Sequence, residues 1–302
     1  MRGTSLHDRA ALVDLEVDGE RVRLSALHLR ASGSGARRFL LVHGNPSHME
    51  HFAANIEWLR LRGDVALFDL PGFGESPASR RSPTLDFFAD VAAAYARMLG
   101  WSARVDAIGQ SHGGAIVQTL AAREPALVRS VLLLGTVGYP AHLSMRLAML
   151  PGAAAVTTGI ARRAHRFPFG ALARAFAQAE IRASFAPDPI PDGFVDAELA
   201  RVLALPEIQR TAVRANYGDP TRQLAAQADR IRAPVLLVHG RSDRLVPVAY
   251  ARRLFERIGR GHPHSTIVEL EGGHMVHFTR PADVHAVLEP WLEESIQAET
   301  AS

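Results

Sequence analysis

The sequence predicts an α/β chain: a mostly parallel eight-stranded sheet with helices on both faces and a helical insertion. Three observations predict it. Six runs rich in branched apolar residues recur, "FLLVHG" (39–44), "VALFDL" (65–70), "RVDAIG" (104–109), "SVLLLG" (130–135), "PVLLVHG" (234–240) and "STIVEL" (265–270). They do not alternate apolar with polar residues, as strands buried on both faces need not. Helix-length segments separate most of them, and regular strand-helix alternation builds a parallel sheet covered on both sides. That alternation then stops between about residue 138 and residue 228.

In chain order, "ALVDLEVDGERVRLSALHL" reads as two alternating strands joined at Asp18-Gly19, a hairpin that extends the sheet at one edge. "ASGSGARR" (31–38) is a flexible connection between strands. "SPTLDFFADVAAAYARMLG" predicts a helix with Ser82 as its cap and Pro83 at the first helical position. In the interrupted region, Ala-, Leu- and Arg-rich helical patterns are broken by "FPFG" and "PDPIPDG". The expected division is a core of residues 1–137 and 229–302 with a helical cap insertion at 138–228.

The 302 residues suffice for one large domain with an insertion. There are no cysteines, so disulfides, thiolate metal sites and a cysteine nucleophile are excluded. All 34 basic residues are arginine. Only Arg162, Arg163, Arg166 and Arg174 approach a cluster, without aromatic platforms or a nucleic-acid-binding motif, so no nucleic-acid partner is expected. The most apolar segment, Leu147 to Ala161, contains Pro151 and Gly152 and falls short of the roughly 20 residues a spanning helix needs. No membrane span is expected. The N-terminal stretch lacks the apolar run and cleavage site of a signal peptide, which gives an expectation of a cytoplasmic protein. The oligomeric state is left open.

The chemistry centres on "AIGQSHGGAI" (107–116), where Ser111 has G-x-S-x-G spacing. Glycines at 109 and 113 permit a sharp strand-to-helix turn, and the following helix aims backbone N-H groups at developing negative charge. In a chain with 24 glycines the pattern alone is weak. Its position after the strand "RVDAIG" and before a helix with Ile116, Val117 and Leu120 on one face supplies the context it requires. A base and an orienting acid are then expected on later loops at the same sheet edge. "RSDRLVP" places Asp243 just beyond one strand, and "EGGHMVHF" places His274 just beyond the next. The order Ser, Asp, His suits this architecture.

With these pieces, and with "LVHGNPSH", "DLPGFGESP" and "HGRSDRLVP", the chain resembles cap-bearing members of the α/β-hydrolase fold superfamily from about residue 12 to residue 295. The resemblance implies that Ser111 attacks, that His274 is general base then general acid, and that Asp243 orients it. It also implies an oxyanion hole made by the backbone N-H groups of Asn45 and His112. "HGNP" is similar to the oxyanion loop of haloalkane dehalogenases. Those enzymes require a carboxylate nucleophile, so with Ser111 in that position neither dehalogenation nor the related epoxide hydrolysis transfers.

Other candidates carry less. His277 is a competing base, His112 a pocket wall beyond its backbone role, and His43 a brace for the oxyanion loop. His48 and His51 in "SHMEHF", and His262 and His264 in "GHPH", lack zincin spacing and a nearby third ligand, so no metal site is assigned. Asp69, Asp106, Asp219 and Asp229 read as caps, loop anchors or surface groups. Phe167, Phe169, Phe176, Phe185 and Phe194 in the insertion read mainly as packing. The expected activity is hydrolysis of a carboxylic ester or lactone of a small, mainly hydrophobic substrate through an acyl-enzyme, without a cofactor. The alternatives are a small-ligand receptor or regulatory protein on the same fold, or a cofactor-free lyase, cyclase, oxygenase or C-C hydrolase.

Overall fold

The computed structural model describes residues 5–136, 169–204 and 220–300. The segment from Leu147 to Ala161, Arg162, Arg163, Arg166, Phe167 and Asp219 lie outside the described residues, as do the side chains of Phe169 and Phe176. A single helical turn, α1 (Leu6–Arg9), precedes the hairpin of β1 (Ala11–Val17) and β2 (Glu20–Leu29). Asp18 and Gly19 both have positive φ, 49° and 76°, the pair of left-handed residues that a two-residue hairpin demands. Then follow β3 (Arg37–Val42), α2 (Ala53–Arg60), β4 (Gly63–Phe68), α3 (Leu85–Met98), β5 (Val105–Gln110), α4 (His112–Arg123) and β6 (Val128–Leu134). After the interruption come α5 (Phe169–Phe185), α6 (Phe194–Ala204) and α7 (Pro220–Gln227). The chain closes with β7 (Val235–Gly240), α8 (Val248–Ile258), β8 (Thr266–Leu270), α9 (Val276–Thr279) and α10 (Pro281–Thr300).

The eight strands form one sheet in the order β1-β2-β4-β3-β5-β6-β7-β8. β1 and β2 pair antiparallel with each other, as do β2 and β4, and the remaining neighbours run parallel. Both faces are covered. Phe88, Ile116, Leu120 and Leu254 pack with Leu40, Ala107 and Leu133 on one side; Phe52, Ile56, Leu288 and Leu292 pack with Leu41, Ile108 and Leu132 on the other. Each such fully buried side chain contributes about 1.5–3 kcal/mol. Neighbouring strand residues such as Leu40 and Leu41 therefore feed opposite layers, which is why these runs show no polar alternation. β8 differs. It lies at the sheet edge and is half-buried along its whole length, so its outer flank faces no further strand.

The helix expected from Ser82 starts later. Thr84 is the cap: its hydroxyl accepts the Phe87 N-H at 3.1 Å, and its backbone is extended. Ser82 stays outside the helix, its carbonyl accepting the Thr84 N-H at 2.8 Å. Among the described residues no helix is long and apolar enough to cross a membrane.

Candidate active site

The elbow at Ser111 is built by close packing. Ser111 has φ 52° and ψ −117°, an unfavourable backbone for a residue with a side chain, costing about 1–3 kcal/mol. It is held there by its N-H to Leu134 O, 2.9 Å, and by Gly114 N-H and the Thr136 hydroxyl donating to its own carbonyl. The flanking glycines are needed for proximity. A Cβ on Gly109 would lie 2.4 Å from Gly113 O, one on Gly113 would lie 2.1 Å from Val42 O, and one on Gly44 would lie 3.0 Å from Ser111 Cβ. The last contact brings the loop after β3, and hence Asn45, beside the serine. His112 is the first residue of α4, so its N-H is among those the helix leaves without an internal acceptor.

Asp243 and His274 meet across the ends of β7 and β8, with His274 Nδ1 2.7 Å from Asp243 Oδ2. The other carboxylate oxygen, Oδ1, accepts the N-H groups of Leu245 and Val246, each at 2.8 Å. Burial works against the ionised acid, but the His274 and His239 imidazoles outweigh it and hold the Asp243 carboxyl well below the usual carboxylate range. An ionised Asp243 fixes the proton of His274 on Nδ1 and leaves Nε2 as a lone-pair acceptor. His239, absent from the sequence-level candidates, lies 3.2 Å through Nε2 from Asp243 Oδ2 and bonds Val246 O at 2.7 Å. A signal for it existed: "HG" closes the run before Asp243 as it closes the run before Asn45.

Ser111 and the His274 loop flank the end of β6. A Cβ on Gly135 would lie 3.4 Å from His274 Nδ1, Ser111 N-H bonds Leu134 O, and Gln110 and Met275, their chain neighbours, touch through Nε2 and Sδ at 3.8 Å. A nucleophilic Ser111 would need a hydrogen bond from its Oγ to His274 Nε2. Such bonds commonly tighten only when substrate is present.

Burial holds three further histidines, His43, His112 and His277, neutral. His43 is fully buried, with Nε2 accepting the Leu70 N-H at 2.9 Å and Nδ1 bonding Gly44 O at 2.8 Å, and burial pushes its pKa down to about 4. It braces the loop that carries Asn45. His112 is pushed down to about 4 by burial and stands edge-on to Phe88. His277 packs on Phe52, has no hydrogen bond at either nitrogen, and is pushed down to about 3 by burial and by His51 and His274. It has no carboxylate partner, whereas His274 does.

The remaining acids have structural roles. Asp69 accepts from His7 Nε2 at 2.7 Å and from the N-H groups of Met49 and Glu75. Asp106 pairs with Arg37 and Arg129. Asp229 is exposed in a 3-10 turn.

The described residues between β6 and β7 touch the histidine loop through the end of α5 and the chain that follows it. Met275 N-H donates to Ser184 O at 3.1 Å, and a Cβ on Gly273 would lie 2.3 Å from Ala186 O. Asp188 binds Arg280 through Nε and Nη2, at 2.9 and 2.6 Å, and accepts from the Thr279 hydroxyl at 2.8 Å. Phe185 and Phe194 form a three-ring cluster with Phe278, with centroids 4.9–5.5 Å apart. These two phenylalanines pack, as expected.

The chain belongs to the alpha/beta hydrolase fold family, whose pattern matches residues 37–281. It is 30% identical over 244 residues to the pimeloyl-[acyl-carrier protein] methyl ester esterase of Chromobacterium violaceum, covering 72% of this chain and 81% of that one. It is 26% identical over 298 residues to the dihydrolipoyllysine-residue acetyltransferase component of the acetoin cleaving system of Cupriavidus necator, covering 94% and 69%. The solved structure of a thermophilic esterase from Thermogutta terrifontis superposes with a TM-score of 0.73 at 21% identity, covering 95% of this chain and 99% of that one.

Proposed function

We propose that the protein is a serine hydrolase that cleaves a carboxylic ester or lactone of a small, mainly hydrophobic substrate. The observation that carries this reading is the His274-Asp243 pair beside the strained Ser111 elbow. In this reading His274 Nε2 takes the Ser111 proton as the hydroxyl attacks the carbonyl. The backbone N-H groups of Asn45 and His112 receive the oxyanion, and His274 returns the proton to the leaving alcohol. Water, activated by the same imidazole, then releases the acid. Asp243 keeps the imidazole in its tautomer and offsets the positive charge it acquires.

The segment 138–228 acts as a cap in this account. Its described part lies on the histidine loop through Ser184, Ala186 and Asp188, which limits water at the site and favours apolar groups. The methyl ester esterase relative supports ester chemistry on the same family framework. The test is turnover of p-nitrophenyl esters of short and medium chain length by the wild type and by Ser111→Ala. Repeated turnover that Ser111→Ala abolishes is expected; hydrolysis retained by that variant contradicts the proposal.

A further inference from the structure

Outside this machinery, three side chains converge where the helical insertion meets the core. His48 and His51 follow the loop that begins at Asn45, and Glu198 comes from α6, 150 positions after His48 in the chain. The sequence offered no third ligand near the two histidines because that ligand arrives only through the fold. His48 Nε2 lies 2.8 Å from Glu198 Oε1, and His51 Nε2 lies 3.5 Å from Glu198 Oε2. One ligand atom from each residue falls within a 4.8 Å group.

We infer that His48, His51 and Glu198 form a binding site for a first-row divalent cation, zinc in the first instance, that fastens the insertion to the core.

Four features support this site. The side chains are withdrawn from water: His48 is 5% exposed, His51 9% and Glu198 12%. His51 Nε2 is buried, faces the carboxylate and makes no hydrogen bond. His51 Nδ1 lies 2.7 Å from the Ser47 hydroxyl, and with Nδ1-H donating there the Nε2 lone pair points at an anionic oxygen, an arrangement that a bridging cation relieves. A ligand histidine whose second nitrogen is held by an oxygen is the usual outer arrangement of zinc sites. Two imidazoles and one carboxylate suit zinc and its neighbours better than magnesium or calcium, which prefer all-oxygen sets.

Among the described residues the ligand set is these three. His7, whose ring centroid is 5.4 Å from that of His48, already uses Nε2 on Asp69. Arg201, one turn beyond Glu198 on α6, places positive potential on His48 and works against the cation. Phe194 and Phe278 wall the cluster on the His51 side, with centroids 5.8 and 6.2 Å from that ring. A cation here would tie α6 to the segment that follows Asn45, so cap docking would depend on metal supply.

The test uses the untagged full chain, freed of metal by chelator and titrated calorimetrically with zinc chloride near neutral pH. One equivalent is expected to bind and to raise the melting temperature. Glu198→Gln is expected to weaken binding at least about tenfold, while the paired His262→Ala and His264→Ala changes leave it unaltered. Cobalt(II), added in place of zinc, reads the same site without any variant: an intense visible spectrum of four-coordinate cobalt is expected. Absence of stoichiometric zinc binding, absence of that cobalt spectrum, or binding that follows His262 and His264 instead of Glu198, overturns the inference.

Discussion

His239 and Asp243 stand four residues apart, and the imidazole Nε2 of the first lies 3.2 Å from the carboxylate Oδ2 of the second. The end of β7 supplies the clamp and the turn after it supplies the acid, since His239 also bonds the Val246 carbonyl and the Val246 N-H donates to Asp243 Oδ1. In the proposed function His239 would act on the chemistry only through Asp243, as a positioning residue.

Two substitutions separate orientation from charge. Asp243→Asn keeps the shape but reverses the preferred tautomer of His274, and kcat is expected to fall about 10⁴-fold. His239→Leu leaves the carboxylate in place but loosens it, with an expected loss on the order of tenfold to a hundredfold in kcat and little change in KM. Steady-state kinetics on a p-nitrophenyl ester checks both. An Asp243→Asn enzyme within tenfold of wild type would remove Asp243 from the triad.

Stability should fall on mild acidification because buried histidines are held neutral. The folded pKa of His277 is about 3, against about 6.5 in the unfolded chain, so between these values only the unfolded state binds the proton. Stability is then lost as pH drops below about 6.5, by about 2 kcal/mol for this one group at about pH 5. His7 works in the opposite sense: burial lowers its pKa, but the Asp69 hydrogen bond together with the Asp69 and Glu75 charges outweighs burial and raises it, so its contribution is lost as pH rises through the folded value. His277→Leu discards a side chain with no hydrogen bond at either nitrogen, and it should be near neutral above pH 7 while flattening the acid limb. Urea midpoints across pH check this. Parallel profiles for the two proteins would contradict it.

Gly273→Ala tests the docking of the insertion. Its Cβ would lie 2.3 Å from Ala186 O and 3.0 Å from Phe185 O, both backbone atoms that cannot turn aside. The neighbour His274 must move or the insertion must lift. A loss of about 1–3 kcal/mol in stability together with reduced kcat is expected, from urea unfolding and ester turnover. A variant equal to wild type in both would mean that the histidine loop and the insertion are not tightly coupled.

What could be read from the sequence follows the range of the interactions involved. The hairpin was legible because Asp18-Gly19 is a local conformational requirement, and the six core strands were legible because their burial on both faces suppresses alternation. Ser111, Asp243 and His274 were singled out because each follows a strand with its own short signal, and their catalytic roles belong to the proposed function. The cap of α3 fell two residues late, since Thr84 competes with Ser82 and the winner depends on where the chain enters the helix. His239 and Glu198 were not legible as partners. His239 looks like one more strand-end residue until the turn after β7 folds Asp243 back on it, and Glu198 meets His48 only through the docking of α6. The requirement for glycine at 273 likewise resides in Ala186, far away in sequence.

The most direct measurement is intact mass after incubation with a fluorophosphonate, comparing wild type with Ser111→Ala. The account predicts a single adduct on the wild type, mapped to Ser111, and none on the variant, because only a serine with an adjacent base reacts at a useful rate. Absence of an adduct on the wild type, or an equal adduct on Ser111→Ala, would contradict the assignment of Ser111, His274 and Asp243 as the catalytic group.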